Sequence, residues 1–186
     1  MKFKVAHYSL AALILLGFTS TGYEKNDSSQ TLFPRSPNEA INELTRNRSK
    51  LCVELVTPQA LSVGEVCLSN TPDSLNVHFQ TEEGWFLTET HLAVASSLEE
   101  IPRVGPGIPG LGHFDYKSTH TSGSTEQTYS IALDSLRVSP GSEVVVAAHA
   151  GIVNALEEEE GAWGRGERFV EEGHPATYFS YVLDQP

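Results

Sequence analysis

The chain has 186 residues, with 12 Lys and Arg against 24 Asp and Glu, and carries a net charge of −12 at neutral pH. A surface of that sign repels phosphate, so charge-driven binding to nucleic acid or to anionic membranes is excluded. The length fits one domain with its own core, since domains peak at about 100–150 residues.

Residues 1–22 have the layout of a secretion signal. Lys2 and Lys4 precede an apolar stretch from Val5 to Phe18, and the small and polar Thr19-Ser20-Thr21-Gly22 follow. The apolar stretch is short for a spanning helix, which needs about 20 residues, and no later segment approaches that length. Cleavage after Gly22 is the expectation, with retention as an uncleaved anchor as the alternative. Cleavage takes away two lysines and no acid, lowering the net charge from −12 to −14. The protein is therefore expected in the periplasm or outside the cell. Residues 23–35 read as a flexible tether, and Ser36-Pro37-Asn38-Glu39 starts a short helix over 36–48, with serine as cap and proline at the first helical position.

From residue 51 the pattern changes to short β-runs separated by turn residues, at about 51–57, 62–69, 74–80, 84–95, 113–117, 127–133, 143–153 and 176–183. This predicts an all-β fold for 36–186, an antiparallel β-sandwich or jelly roll with the short N-terminal helix attached. Cys52 and Cys67 fall opposite one another if 51–57 and 62–68 form a hairpin. In an exported protein that pairing reads as a disulfide, contributing roughly 3 kcal/mol on a chain-entropy basis. Two long connections interrupt the strands. Ile101 to Gly112 is rich in glycine and proline and must be held by Val104, Ile108 and Leu111. Leu156 to Pro175 carries Glu157-Glu158-Glu159-Glu160 and Trp163, and its acidic run reads as a solvated loop, because it has none of the organised spacing of a calcium loop.

The residues that carry chemistry lie in two strands. Glu89 and His91 are two apart in the run 84–95, and so share a face, with Trp85 and Leu87 assigned to that face as well. His149 lies in the apolar run Val144 to Ala150. Two nitrogens and one carboxylate suit zinc or another divalent metal with an open position, or an acid/base pair. The same residues also suit a buried hydrogen-bonded knot that serves only structure. Trp85 and Trp163 are candidates for stacking a carbohydrate ligand. The sequence has no Gly-x-Ser-x-Gly elbow, P-loop or dinucleotide fingerprint.

The pieces "GWFLTETHLAV", the glycine/proline loop running into "GHFDY", "VVAAHA", "EGAWGRGERF" and "ATYFSYVL" together resemble an uncharacterised group of exported bacterial all-β domains. The resemblance spans about residues 84–183 and implies a secreted β-domain with Glu89, His91, His149 and Trp163 in its recurrent core; the group has no established activity to carry over. The expected function is a non-catalytic binding or structural module of the cell envelope or extracellular space. Its ligand is unidentified, with carbohydrate as one class. The alternative is a metal-dependent, hydrolase-like enzyme using Glu89, His91 and His149, with the glycine/proline loop and the Trp163 loop as its walls.

Overall fold

The computed structural model describes residues 50–105 and 107–185. The expected signal over 1–22, tether over 23–35 and helix over 36–48 lie outside the described residues. Among the described residues no helix is long and apolar enough to cross a membrane.

Alternating apolar residues build the first hairpin. Strand β1 (Lys50–Val56) turns Leu51, Val53 and Leu55 inward, and β2 (Ser62–Asn70) does the same with Val66 and Leu68. Their register sets Cys52 against Cys67, and the two form a disulfide. The meander continues into β3 (Ser74–Thr81), whose Leu75, Val77 and Phe79 are fully buried, and β4 (Trp85–Ala95) follows. Two-residue strands β5 (Arg103–Val104) and β6 (Ile108–Pro109) pair with each other in the glycine/proline loop. Next come β7 (Tyr116–Thr119), β8 (Glu126–Ala132), the one-turn helix α1 (Leu133–Leu136) and the long β9 (Glu143–Asn154). The chain ends in β10 (Glu159–Gly164), β11 (Glu167–Arg168) and β12 (Thr177–Val182).

Every pairing is antiparallel. One sheet runs β8-β3-β2-β1-β10-β9-β4-β7, and β12 shares with β10 the edge of β9 that faces away from β4. The all-β antiparallel class holds, and the two layers of the expected sandwich are the two sides of one nearly closed, barrel-like sheet. Its ends, β7 and β8, meet at a seam. There the fully buried Thr90 hydroxyl lies 2.7 Å from the Tyr129 hydroxyl and 2.9 Å from His120 Nε2, and the Tyr116 and Tyr129 rings meet at 6.1 Å. Burial lowers the pKa of His120 below the ordinary imidazole value.

The main core fills the inside of this sheet. A second core lies on the outer face, where β4 and β9 carry Ala93, Ala95 and Ala147 beside a partly buried Val145. These small side chains leave room for the glycine/proline loop to lie on the sheet through Ile101 and Phe114, both buried, with Leu98 and Leu111 beside them. Val104, expected to help hold that loop, is exposed. The anchors are instead Ile101 and Phe114 at the loop's two ends, with Pro109 of β6 buried between them. Phe169 and Ala176 cover the same patch from the segment after β10, and the Arg103 guanidinium lies 5.6 Å over the Phe169 ring.

One irregularity decides which side chains reach this outer face. Along β4 the pairing with β9 goes from Leu87↔Ile152 directly to Glu89↔Gly151, so Thr88 is an extra residue, a β-bulge. Leu87 is buried in the main core, whereas Glu89 and His91 face outward with Ala93. The expectation that Leu87 and Trp85 share a face with them is therefore corrected: Trp85 packs on the inner core, and the bulge inverts the alternation that follows it.

Deleting Thr88 leaves Leu87 and Glu89 as neighbours in a regular strand, still opposite Ile152 and Gly151, with Leu87 inside and Glu89 and His91 outside. Urea denaturation is expected to show a loss of less than about 2 kcal/mol for the deletion and less than about 1 kcal/mol for Thr88→Ala. A deletion that costs more than about 4 kcal/mol would show that Thr88 is not the extra residue of this pairing. Phe114→Ala, which unpins the loop from the outer face, is expected to cost about 3–5 kcal/mol in the same assay.

Candidate metal centre

The site is assembled from three adjacent strands on the outer face. His91 of β4 is registered directly against His149 of β9, and His149 against Trp163 of β10. The next row carries Glu89 against Gly151, and Gly151 against Gly161. Ligand atoms of Glu89, His91 and His149 lie within 4.8 Å of one another, which puts them within about 2.8 Å of a common centre. Zinc–ligand bonds are about 2.0–2.2 Å, so the three side chains must draw in by several tenths of an ångström to close a shell, and the half-exposed Glu89 carboxylate is the freest of them to move.

The two glycines explain why the site is open. A Cβ on Gly151 would stand 2.7 Å from Glu89 Cγ, and one on Gly161 would stand 3.1 Å from His149 Nε2. Without side chains there, the carboxylate and the imidazole lean over a bare strip of backbone. The strip floors a cleft of about 340 Å³ lined by Thr88, Glu89, His149, Ile152, Glu159 and Glu160. The acidic run expected as a loop supplies one wall, because Glu159 and Glu160 begin strand β10 rather than lying in a connection. Neither the glycine/proline loop nor the segment after β10 lines this cleft. Both cover the next rows of the outer face.

The electrostatics follow from that covering. His149 is 8 % exposed, sandwiched between His91, at 5.7 Å between ring centres, and Trp163 at 4.9 Å. Burial pushes its pKa down to about 4, reinforced by the neighbouring imidazoles of His91 and His174. It is therefore a neutral imidazole at physiological pH, the form that ligates a cation. Glu89 Oε1 lies 3.9 Å from His91 Nδ1, too far for a hydrogen bond, so the three side chains are gathered but not tied to one another. The Nδ1 atoms of both histidines are shut from solvent and have no hydrogen-bond partner. Each such orphaned polar atom costs about 1–3 kcal/mol. A bound divalent ion removes that penalty for whichever nitrogen it takes. Two imidazoles with one carboxylate match the preferences of zinc and its neighbours rather than those of calcium or magnesium, which take oxygen.

The aromatic candidates are separated by the sheet. Trp163 is 4 % exposed in the outer core, and Trp85 packs against the inner one, so they do not share a stacking surface. Reading from sequence missed strand β10 and therefore Gly161, whose spacing before Trp163 in "EGAWG" is the same two-residue alternation that marked Glu89 and His91.

The depressed pKa of His149 makes the metal-free protein acid-sensitive. Above pH 6.5 the group is neutral folded or unfolded, and its contribution to stability is complete. As pH falls from 6.5 towards 4 the unfolded chain takes up the proton first, and stability is lost, by about 3 kcal/mol once both states are protonated. Denaturation midpoints measured across that window are expected to fall in the wild type and to flatten in His149→Gln. Equal slopes would show that His149 is not the buried neutral group.

No protein-family model matches the chain, and no curated protein or solved structure matches it either.

Proposed function

We propose that the domain is an exported, non-catalytic binding module whose ligand is a divalent transition-metal ion, held by Glu89, His91 and His149. The observation that carries this reading is the pair of imidazoles whose Nδ1 atoms are buried and unpartnered, beside a half-exposed carboxylate at a solvent-open cleft. A purely structural cluster of this composition would be expected to satisfy its own hydrogen bonds. Export rests on the signal-like layout of residues 1–22 and agrees with the disulfide, which persists in oxidising compartments. The likeness to exported all-β domains belongs to the same proposal.

Three protein ligands leave a tetrahedral ion with one open position, and the cleft lies beside it. That favours a second reading, a hydrolase-like centre in which the ion lowers the pKa of a bound water. The two readings share the ligands and differ in turnover. Zinc-dependent hydrolysis of a chromogenic ester that is lost in His91→Ala would establish the second, and a zinc-loaded but inert protein the first.

Calorimetric titration of the metal-stripped, disulfide-intact protein with zinc is expected to give one equivalent, and Glu89→Gln and His91→Ala are each expected to weaken it a hundredfold or more, about 3 kcal/mol. Gly161→Leu, which fills the cleft without touching a ligand's identity, is expected to weaken it as well. A wild type that takes up no zinc overturns the proposal.

A further inference from the structure

Further along the outer face of the sheet, beyond β10, β1 and β2 present a second group of ligating atoms. Cys52 is exposed on the outer face, Cys67 lies directly across from it, and the Glu65 carboxylate comes within 4.8 Å of the sulfurs. Glu65 is two residues before Cys67 and so shares its face. Its row neighbour Glu54 is paired with Arg165, but Glu65 itself has no ion pair or hydrogen bond among the described residues. The row formed by Glu54, Glu65 and Gln80 borders a cleft of about 500 Å³ with Ser62, Gly64 and Glu82, so the Glu65 carboxylate is reachable from solvent, as is the exposed Cys52, while Cys67 is buried beneath them.

The sulfurs do not depend on their bond to stay together. Strands β1 and β2 are registered from Lys50↔Ser69 to Leu55↔Gly64, and Leu55, Val66 and Leu68 anchor both strands in the main core. β3 and β10 hold their outer edges. A reduced pair therefore remains a vicinal dithiol, with Cα atoms 4.0 Å apart, next to a free carboxylate. Two thiolates and a carboxylate form a soft ligand set that selects zinc or cadmium.

We infer that Cys52, Cys67 and Glu65 form a redox-gated soft-metal site, closed while the disulfide is intact and opened when a dithiol reduces it. In that exchange the reductant's two thiols become its disulfide, and the Cys52–Cys67 bond is cleaved to two thiols. A divalent ion then displaces their two protons and binds the thiolates, with Glu65 as third ligand. This site shares no residue with Glu89, His91 and His149, so the two stand or fall separately.

Cadmium is the probe, because its thiolate complexes give an ultraviolet charge-transfer band that histidine and carboxylate sites lack. Disulfide-intact protein is expected to show no band. After treatment with a dithiol and removal of the reductant under anaerobic conditions, one additional equivalent of cadmium is expected to bind with the band. The band is expected to persist in His91→Ala and to disappear in Cys52→Ser, while Glu65→Gln weakens cadmium binding about tenfold without changing the number of titratable thiols. A reduced protein that keeps its far-ultraviolet circular dichroism but binds no additional cadmium overturns the inference. So does a reduced protein that loses its β-spectrum, since the site requires the sheet to hold the thiols. An unaltered affinity in Glu65→Gln removes Glu65 from the site and overturns the three-ligand assignment.

Discussion

The arrangement depends on one extra residue in strand β4. A β-strand alternates faces every residue, so Leu87, Glu89 and His91 would otherwise all face the same way, either into the dry interior or out of it. The bulge at Thr88 lets both needs be met in eleven residues, with Leu87 filling the main core and Glu89, His91, Ala93 and Ala95 turned to the outer face. The same shift sets His91 against His149 and Glu89 against Gly151. A carboxylate then lies over a glycine rather than over a side chain. Bulges redirect side chains in this way near functional sites in many sheets.

The outer face does two jobs along its length. Towards the C-terminal end of β4 it is a second core, where small residues on the sheet accept Ile101, Phe114 and Phe169 from the covering segments. Towards the N-terminal end it is bare, because Gly151 and Gly161 place no side chain there. His149 sits at the boundary. The dry side, with Trp163 against its ring, strips its water and keeps it neutral, and the glycine side leaves it an opening. A fully covered imidazole would be inert and a fully exposed one would titrate near its ordinary value, so the site's chemistry comes from the border between the two regions.

Much of this was legible along the chain. Alternation and turn residues placed all the longer strands except β10, and the spacing of the first hairpin put Cys52 against Cys67, as the register confirms. Glu89, His91 and His149 were singled out as polar residues in apolar runs, and the structure brings them together. Strand β10 was not legible, because the glutamates at its start and the glycines on either side of its apolar pair are turn and solvent signals taken locally. It exists because β9 and β1 each offer it an edge. The glycine/proline loop was seen as needing apolar anchors, but which side chains anchor it depends on where the alanines of β4 and β9 lie beneath it.

Sequence alone determined what short-range physics controls: the β-rich pattern, the hairpin that aligns the cysteines, and the residue types able to ligate a metal. Only the tertiary structure decided the faces. A bulge carries no signature in the residue that forms it, since Thr88 is an ordinary strand residue, and its presence follows from how β4 must match β9 over their shared length. For the same reason the sequence showed Glu89 and His91 beside Leu87. The folded sheet sets them on its far side, where a carboxylate and two imidazoles meet over a floor of glycine.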